Sequence, residues 1–210
     1  MNAVNESRKS NVAIKTIEDS PIAHSLFSDV RWAWIWLILR LYVGWEWLQA
    51  SWGKINNPSW IGNKSGSALT GFVNGALAQT GGEHPNVQIW YAWFLQHLVQ
   101  PYPVFWSYMV TFGEFLVGIA LIFGAFTGIA AFFGSFMNMN YLLAGAVSVN
   151  PVLLILATLL VLAWKTAGWW GLDRWILPAL GTPWRPGYIF QEPSDKMKSG
   201  RTIIEHPGRI

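Results

Sequence analysis

Four ionisable side chains stand inside long apolar stretches of this 210-residue chain: Arg40, Glu46, Glu114 and Lys165. A charge in hydrocarbon is costly and persists where it pairs, reaches water or does chemistry. Counted at about 1.5 Å per residue from the ends of their apolar runs, Arg40 and Glu114 come to similar depths, roughly 12 and 14 Å, on antiparallel segments. They are expected to meet, either as a buried ion pair that fixes helix register or as one wall of a polar pocket. Glu46 sits roughly 9 Å below the opposite surface. It lies between Trp45 and Trp47, shares a face with Tyr42 and Gln49, and has Trp52 further along the same segment. No basic residue shares its depth, so Glu46 reads as the proton-carrying carboxyl and Glu114, with Arg40, as the anchor. Asn138 and Asn140 come to roughly 15 and 12 Å below that surface, where one could reach Glu46 or bond between helices. Lys165, about 9 Å from its end of the fourth apolar run, reads as a snorkelling anchor.

Other chemistries are missing from the sequence. There is no cysteine, which excludes disulfides, thiolate-held iron–sulfur clusters and covalent haem attachment in this chain. None of the histidines His24, His84, His97 and His206 falls in an apolar run, so a bis-histidine haem across a bundle is excluded. Glu83, His84 and His97 lack metal-ligand spacing, and no metal site is expected. No phosphate loop, dinucleotide fingerprint or nucleophile triad is present.

The elements that must position these residues are long helices. The chain is 52% hydrophobic and 12% charged, against about 25% charged in soluble domains, and it carries 15 Trp, 12 Phe and 20 Gly. Runs over 32–52, 104–123, 126–148 and 151–171 each reach the roughly 20 apolar residues that span a bilayer. The expected fold is all-α: a four-helix transmembrane bundle whose second, third and fourth spans are joined by tight turns. Gly118, Ala120, Gly124 and Gly128 offer small-residue spacing for close helix packing. In the 53–103 segment, Leu69, Phe72, Val73, Ala76 and Leu77 make the stripe of a short amphipathic helix, with Ser65 or Ser67 as its cap. A second stretch from Val87 to Leu98 puts Trp90, Trp93, Phe94 and His97 on one side, so the bundle would carry a lid.

Lys and Arg set the expected orientation. Residues 1–31 carry four, residues 172–210 carry six, and the long 53–103 loop carries Lys54 and Lys64. Both termini are therefore expected in the cytoplasm of a multi-pass plasma-membrane protein, with 53–103 outside. The first 31 residues lack the pattern of a removable signal, so span one reads as an uncleaved anchor. The organisation is then a cytoplasmic tail over 1–31, a membrane domain over 32–171 and a Pro-rich cytoplasmic tail over 172–210. The formal charge of +3 gathers at the termini, which fits a membrane surface and not nucleic acid.

RLYVGWEWLQASWGKI, HPNVQIWYAWFLQHLVQPYP, the run from GEFLVGIALIF to FMNMNYLLAG, and NPVLLILATLLVLAWKTAGWWGLDRW resemble the DoxX superfamily over about residues 30–180. The fuller external segment is similar to DoxD, the membrane subunit of thiosulfate:quinone oxidoreductase. The resemblance implies a four-helix bundle that works with a quinone, takes electrons from a sulfur compound and sits beside partner subunits or further copies. On that basis Glu46, Glu114 and Arg40 are the expected catalytic residues. Tyr42, Trp45, Trp47, Gln49, Trp52, Asn138 and Asn140 are the expected quinone contacts. The alternative is a non-catalytic accessory subunit of a larger respiratory or photosynthetic membrane complex.

Overall fold

Pro21, Pro103 and Pro151 each sit in the first turn of a helix, where a missing N–H leaves no bond unmade. The computed structural model describes residues 20–182, so the N-terminal tail is seen only from Ser20 and the Pro-rich stretch from Pro183 lies outside the described residues. The elements are α1 (Pro21–Ser28), a 3-10 turn (Val30–Trp32), α2 (Ala33–Ile55), α3 (Ser67–Leu77) and α4 (Ile89–Phe94) running into a π-helical turn (Leu95–Val99). They continue with α5 (Pro103–Phe123), α6 (Thr127–Leu143), α7 (Asn150–Leu162) and α8 (Asp173–Ala179). The described residues contain no strand.

Helix α2 packs on α5, α5 on α6, α6 on α7, and α7 back on α2, which closes a ring of four. Its centre holds Trp36, Val43 and Trp47 from α2, Val117 and Leu121 from α5, Ala130 and Ala131 from α6, and Leu153, Ala157 and Leu160 from α7. The α2–α5 seam is close because it is built on glycine: a Cβ on Gly118 would come 2.7 Å from Leu48 Cγ. The small-residue spacing read in the sequence thus serves packing here, and Gly128 serves it again against Trp164. A second apolar cluster unites α3 and α4 with the start of α5 and the end of α6 through Leu69, Val73, Val87, Tyr91, Leu95 and Ala144. The amphipathic helix expected over the Leu69–Leu77 stripe is α3, and the second stretch is α4 with its π-helical turn. The serine cap is not formed. Gly66 takes the cap position with φ +88, and it has no side chain to accept from the first-turn amides.

Large apolar side chains cover the outside of the ring, including Leu116 (65% exposed), Ile155 (62%) and Phe136 (59%). Such a surface matches hydrocarbon and not water. By length and composition, α5 is the helix among the described residues that is long and apolar enough to cross a membrane, and α7 is a shorter apolar helix. Helix α2 has 23 residues, but Arg40, Glu46 and Gln49 dilute its apolar character. Helix α6 stops at Leu143, short of the expected 148, and α7 stops at Leu162, well short of the expected 171. Beyond Leu162 the backbone continues as turns, with Ala167 N donating to Ala163 O at 2.7 Å and Trp169 N to Thr166 O at 3.1 Å. The stretch has poor helix formers in Thr166 and Gly168. Thr166 also gives its hydroxyl to Phe27 O (3.1 Å), which ties the stretch to the end of α1.

Candidate functional site

Helix α5 turns Ser107, Thr111, Glu114, Gly118 and Leu121 inward on one stripe, and only Glu114 among them carries charge. Its carboxylate, 1% exposed, faces Lys54 near the C-terminal end of α2, whose Nζ lies 2.9 Å from Oε1 and 2.7 Å from Oε2. Tyr141, from the last turn of α6, donates its hydroxyl to Oε1 at 2.5 Å. A carboxylate buried this deeply is tolerable because a cation and a phenol together satisfy it.

Aromatic rings enclose the group. Lys54 Nζ stands 5.1 Å from the centre of the Trp60 ring, an approach worth about 0.5–2 kcal/mol. Ser107 holds Trp60 in place by donating to its carbonyl (2.8 Å). Trp47 and Phe72 lie 6.4 and 6.2 Å from the Tyr141 ring, the latter edge-on. On the same inner faces of α2 and α6 are buried polar atoms with no hydrogen-bond partner among the described residues: Trp47 Nε1 and both side-chain polar atoms of Asn138. Trp47 Nε1 lies 3.1 Å from where a Cβ on Gly134 would stand, one turn before Asn138. Unmade hydrogen bonds at buried polar atoms are rare and mark a place where a partner belongs.

Arg40 is not part of this cluster, and the expected Arg40–Glu114 pair does not form. The guanidinium sits in a notch left by Gly124 (φ +66) and Gly171, where any Cβ would overlap it. Gly124 and Glu114 are ten residues apart on α5, or roughly 15 Å. Arg40 Nη2 donates to Trp170 O at 3.4 Å, while Nε and Nη1 have no partner among the described residues. The nearby carboxylate is Asp173, which is buried and accepts from Phe126 N (2.6 Å) and Thr127 N (2.8 Å), so it caps α6. Leu172 N and Asp173 N return to the last carbonyls of α5, Phe123 O (3.1 Å) and Gly124 O (2.7 Å). The α5–α6 turn is thereby held from both sides, with Phe126 at φ 49.

The remaining expected site residues separate. Trp47 and Asn138 are buried in the core. Tyr42, Trp45, Gln49 and Trp52 lie exposed on the outer face of α2, and Glu46 is half-buried on its flank with no polar partner among the described residues. Neither asparagine meets Glu46. Asn140 gives its amide to Phe136 O (2.7 Å) and accepts the Tyr91 hydroxyl at its carbonyl (2.9 Å). Burial pushes the Tyr91 phenol up to about 12, so it stays a donor at neutral pH and fastens α4 to α6. Lys165 stands 5.8 Å from the Trp164 ring centre. Among the described residues no cluster of three or more His, Asp or Glu could hold a metal ion.

The described residues thus form an all-helical bundle with an apolar outer surface and a buried carboxylate, satisfied by a lysine and a tyrosine, toward one end. A family profile described as TQO small subunit DoxD matches residues 35–183, and the chain belongs to that DoxD family of membrane proteins. Neither a curated protein nor a solved structure matches it significantly.

Proposed function

We propose that this chain is the membrane-embedded small subunit of a thiosulfate:quinone oxidoreductase. On this reading the quinone head group is held beside Glu114, Lys54 and Tyr141. The observation that carries the proposal is the set of unmet hydrogen bonds at Trp47 Nε1 and Asn138, next to a carboxylate already bound by lysine and tyrosine. Two indole or amide N–H donors suit the carbonyl oxygens of a quinone, and the aromatic walls suit its ring. A bound quinone supplies an acceptor for two electrons and two protons. Tyr141 Oη, donating to Glu114, and Lys54 Nζ, 17% exposed in its side chain, hold protons at either side of that carboxylate. Lys54 faces the outer end of the bundle and connects the buried group with water, while α3 and α4 cover it. The outer face of α2, with Glu46, Tyr42, Trp45, Gln49 and Trp52, forms the lipid-side approach for an apolar tail. With no cysteine in the chain, electrons from the sulfur reductant reach the quinone directly or through a partner subunit.

Tyr141→Phe removes one hydroxyl and little volume. In protein purified with its neighbours, thiosulfate-dependent reduction of decylubiquinone is expected to fall about a hundredfold. An unchanged rate in folded Tyr141→Phe would transfer the assignment to an accessory subunit. That reading draws its support from the exposed aromatic face of Trp90, Trp93 and Tyr102.

The same proposal makes α2, α5, α6 and α7 all cross the bilayer, with the turns after Leu162 completing the fourth crossing and both termini in the cytoplasm. Because the native chain has no cysteine, single Asn63→Cys and Ile22→Cys variants carry no background thiol. An impermeant maleimide applied to intact cells is expected to label position 63 and leave position 22 unlabelled. Labelling of position 22 from outside refutes the orientation.

A further inference from the structure

Two short helices pack at the same end of the bundle and carry opposite outer faces. On α3 the exposed positions include Ser67, Gly71, Asn74 and Gly75, which are small or polar. On α4 they are Ile89 (79% exposed), Trp90 (60%) and Trp93 (56%), while Tyr91 and Ala92 turn into the protein. From Val87 to Tyr102 the sequence has no Asp, Glu, Lys or Arg. His97 stacks on Trp93 at 4.8 Å between ring centres and gives its Nδ1–H to Trp93 O (2.9 Å), so one of its two nitrogens is satisfied within the helix.

Helix α5 sets the level of this face. At about 1.5 Å per residue its 21 residues reach about 31 Å, close to the roughly 30 Å of a hydrocarbon core. The first turn of α5 therefore stands at a boundary between acyl chains and head groups. Helix α4 and its π-helical turn are fixed against that turn. Trp106 Nε1 donates to Leu98 O (2.7 Å), and the Phe94 and Trp106 rings meet edge to face at 6.1 Å. Exposed Tyr102 and Phe105 lead from there to Met109, Phe112 and Leu116, the apolar outer stripe of α5.

We propose that α4 lies in the membrane surface, with Ile89, Trp90 and Trp93 inserted at the boundary between head groups and acyl chains, so that lipid and not a second protein covers this face. Indole and phenol side chains favour that layer, because the ring is apolar while its N–H or O–H reaches water. The face has no cationic side chain to attract anionic lipid, and neutral phosphatidylcholine suffices. The helix that covers the Glu114 cluster is then anchored in the bilayer and does not stand in water. The proposal rests on the bilayer crossing by α5 given above and not on quinone chemistry.

Because the chain lacks cysteine, single nitroxide labels can be placed without background. Ile89→Cys and Trp93→Cys, labelled and reconstituted in phosphatidylcholine vesicles, are compared with Leu116→Cys on α5 and Glu83→Cys in the loop before α4. Collision of the label with oxygen, which concentrates among acyl chains, and with nickel-EDDA, which stays in water, reads its depth. Positions 89 and 93 are expected about 5–10 Å into the head-group and acyl boundary, position 116 deeper and position 83 in water. Nickel collision at 89 and 93 as frequent as at 83 overturns the proposal and leaves the crossing intact. Weak collision with both reagents overturns it in favour of a second copy or a partner subunit on this face. Water-like collision at 116 as well refutes the crossing itself. If the labelled variants do not elute as folded protein, Trp90→Phe/Trp93→Phe decides in vesicles of phosphatidylcholine brominated near the head-group end of its chains. That variant is expected to lose part of the bromine-quenched tryptophan emission of the wild type, and equal quenched emission overturns the proposal.

Discussion

Lys54→Met is expected to lower the unfolding free energy by about 3 kcal/mol or more, since it strands the Glu114 carboxylate in the core with Tyr141 as its remaining donor. Glu114→Gln should cost less. The amide still accepts the Tyr141 hydroxyl, and Lys54, at 17% exposure near the end of α2, can swing its ammonium toward water. This asymmetry separates an interior ion pair from a surface one, where loss of either partner costs a similar, small amount. Removing both charges in Lys54→Met/Glu114→Gln should recover much of the loss, because neither ion then needs a partner. Denaturant or thermal unfolding in detergent measures all three variants. Additive losses in the double variant would show that the residues do not act as a pair.

Asp173→Ala should be the second most damaging of the changes considered, at roughly 2–4 kcal/mol. It removes the side-chain acceptor for Phe126 N and Thr127 N and takes away the carboxylate near the buried Arg40 guanidinium. Asp173→Asn keeps one oxygen for the cap and is expected to cost less than alanine. Equal melting temperatures for the two variants would mean that the lost charge, and not the lost cap, sets the effect.

The long helices and the two short ones, α3 and α4, were legible because their signals are periodic. The Leu69–Leu77 stripe specifies α3, and the apolar run from Val104 to Phe123 specifies α5 almost to the residue. The end of α7 was not legible from hydrophobicity, since Ala163, Trp164 and the residues after them are as apolar as a helix needs. The regular helix ends before Thr166 and Gly168, both poor helix formers, and the Thr166 hydroxyl is tied across to Phe27 O. The Arg40–Glu114 pairing failed for a related reason. Depth was counted from the edges of apolar runs, yet α2 continues as helix to Ile55 and slides the antiparallel register, so that Gly44 meets Gly118 and Leu121. A signal for the actual partner was present in the sequence. Arg40, Val43, Trp47, Ser51 and Lys54 repeat at three or four residues, which puts Lys54 on the buried stripe and Glu46 off it. Tyr141 likewise follows Gly134 and Asn138 on the inner face of α6. Glu46 is a lone carboxylate among tryptophans, but composition carries no angular information, and its position on α2 sets it off the buried stripe.

The clamp of Asp173 on the α5–α6 turn also constrains the order in which the molecule can be completed. The residue that caps α6 follows the capped amides by 46 and 47 positions. At about 5–20 residues per second, a ribosome delivers it roughly 2–9 s after the turn itself has been made. Through that interval the α5–α6 hairpin exists with the first amides of α6 and the last carbonyls of α5 unsealed, and with Phe126 unsupported in its left-handed conformation. Water or lipid head groups must serve those atoms until the turns after α7 arrive, so the hairpin is assembled at an aqueous boundary and sealed last.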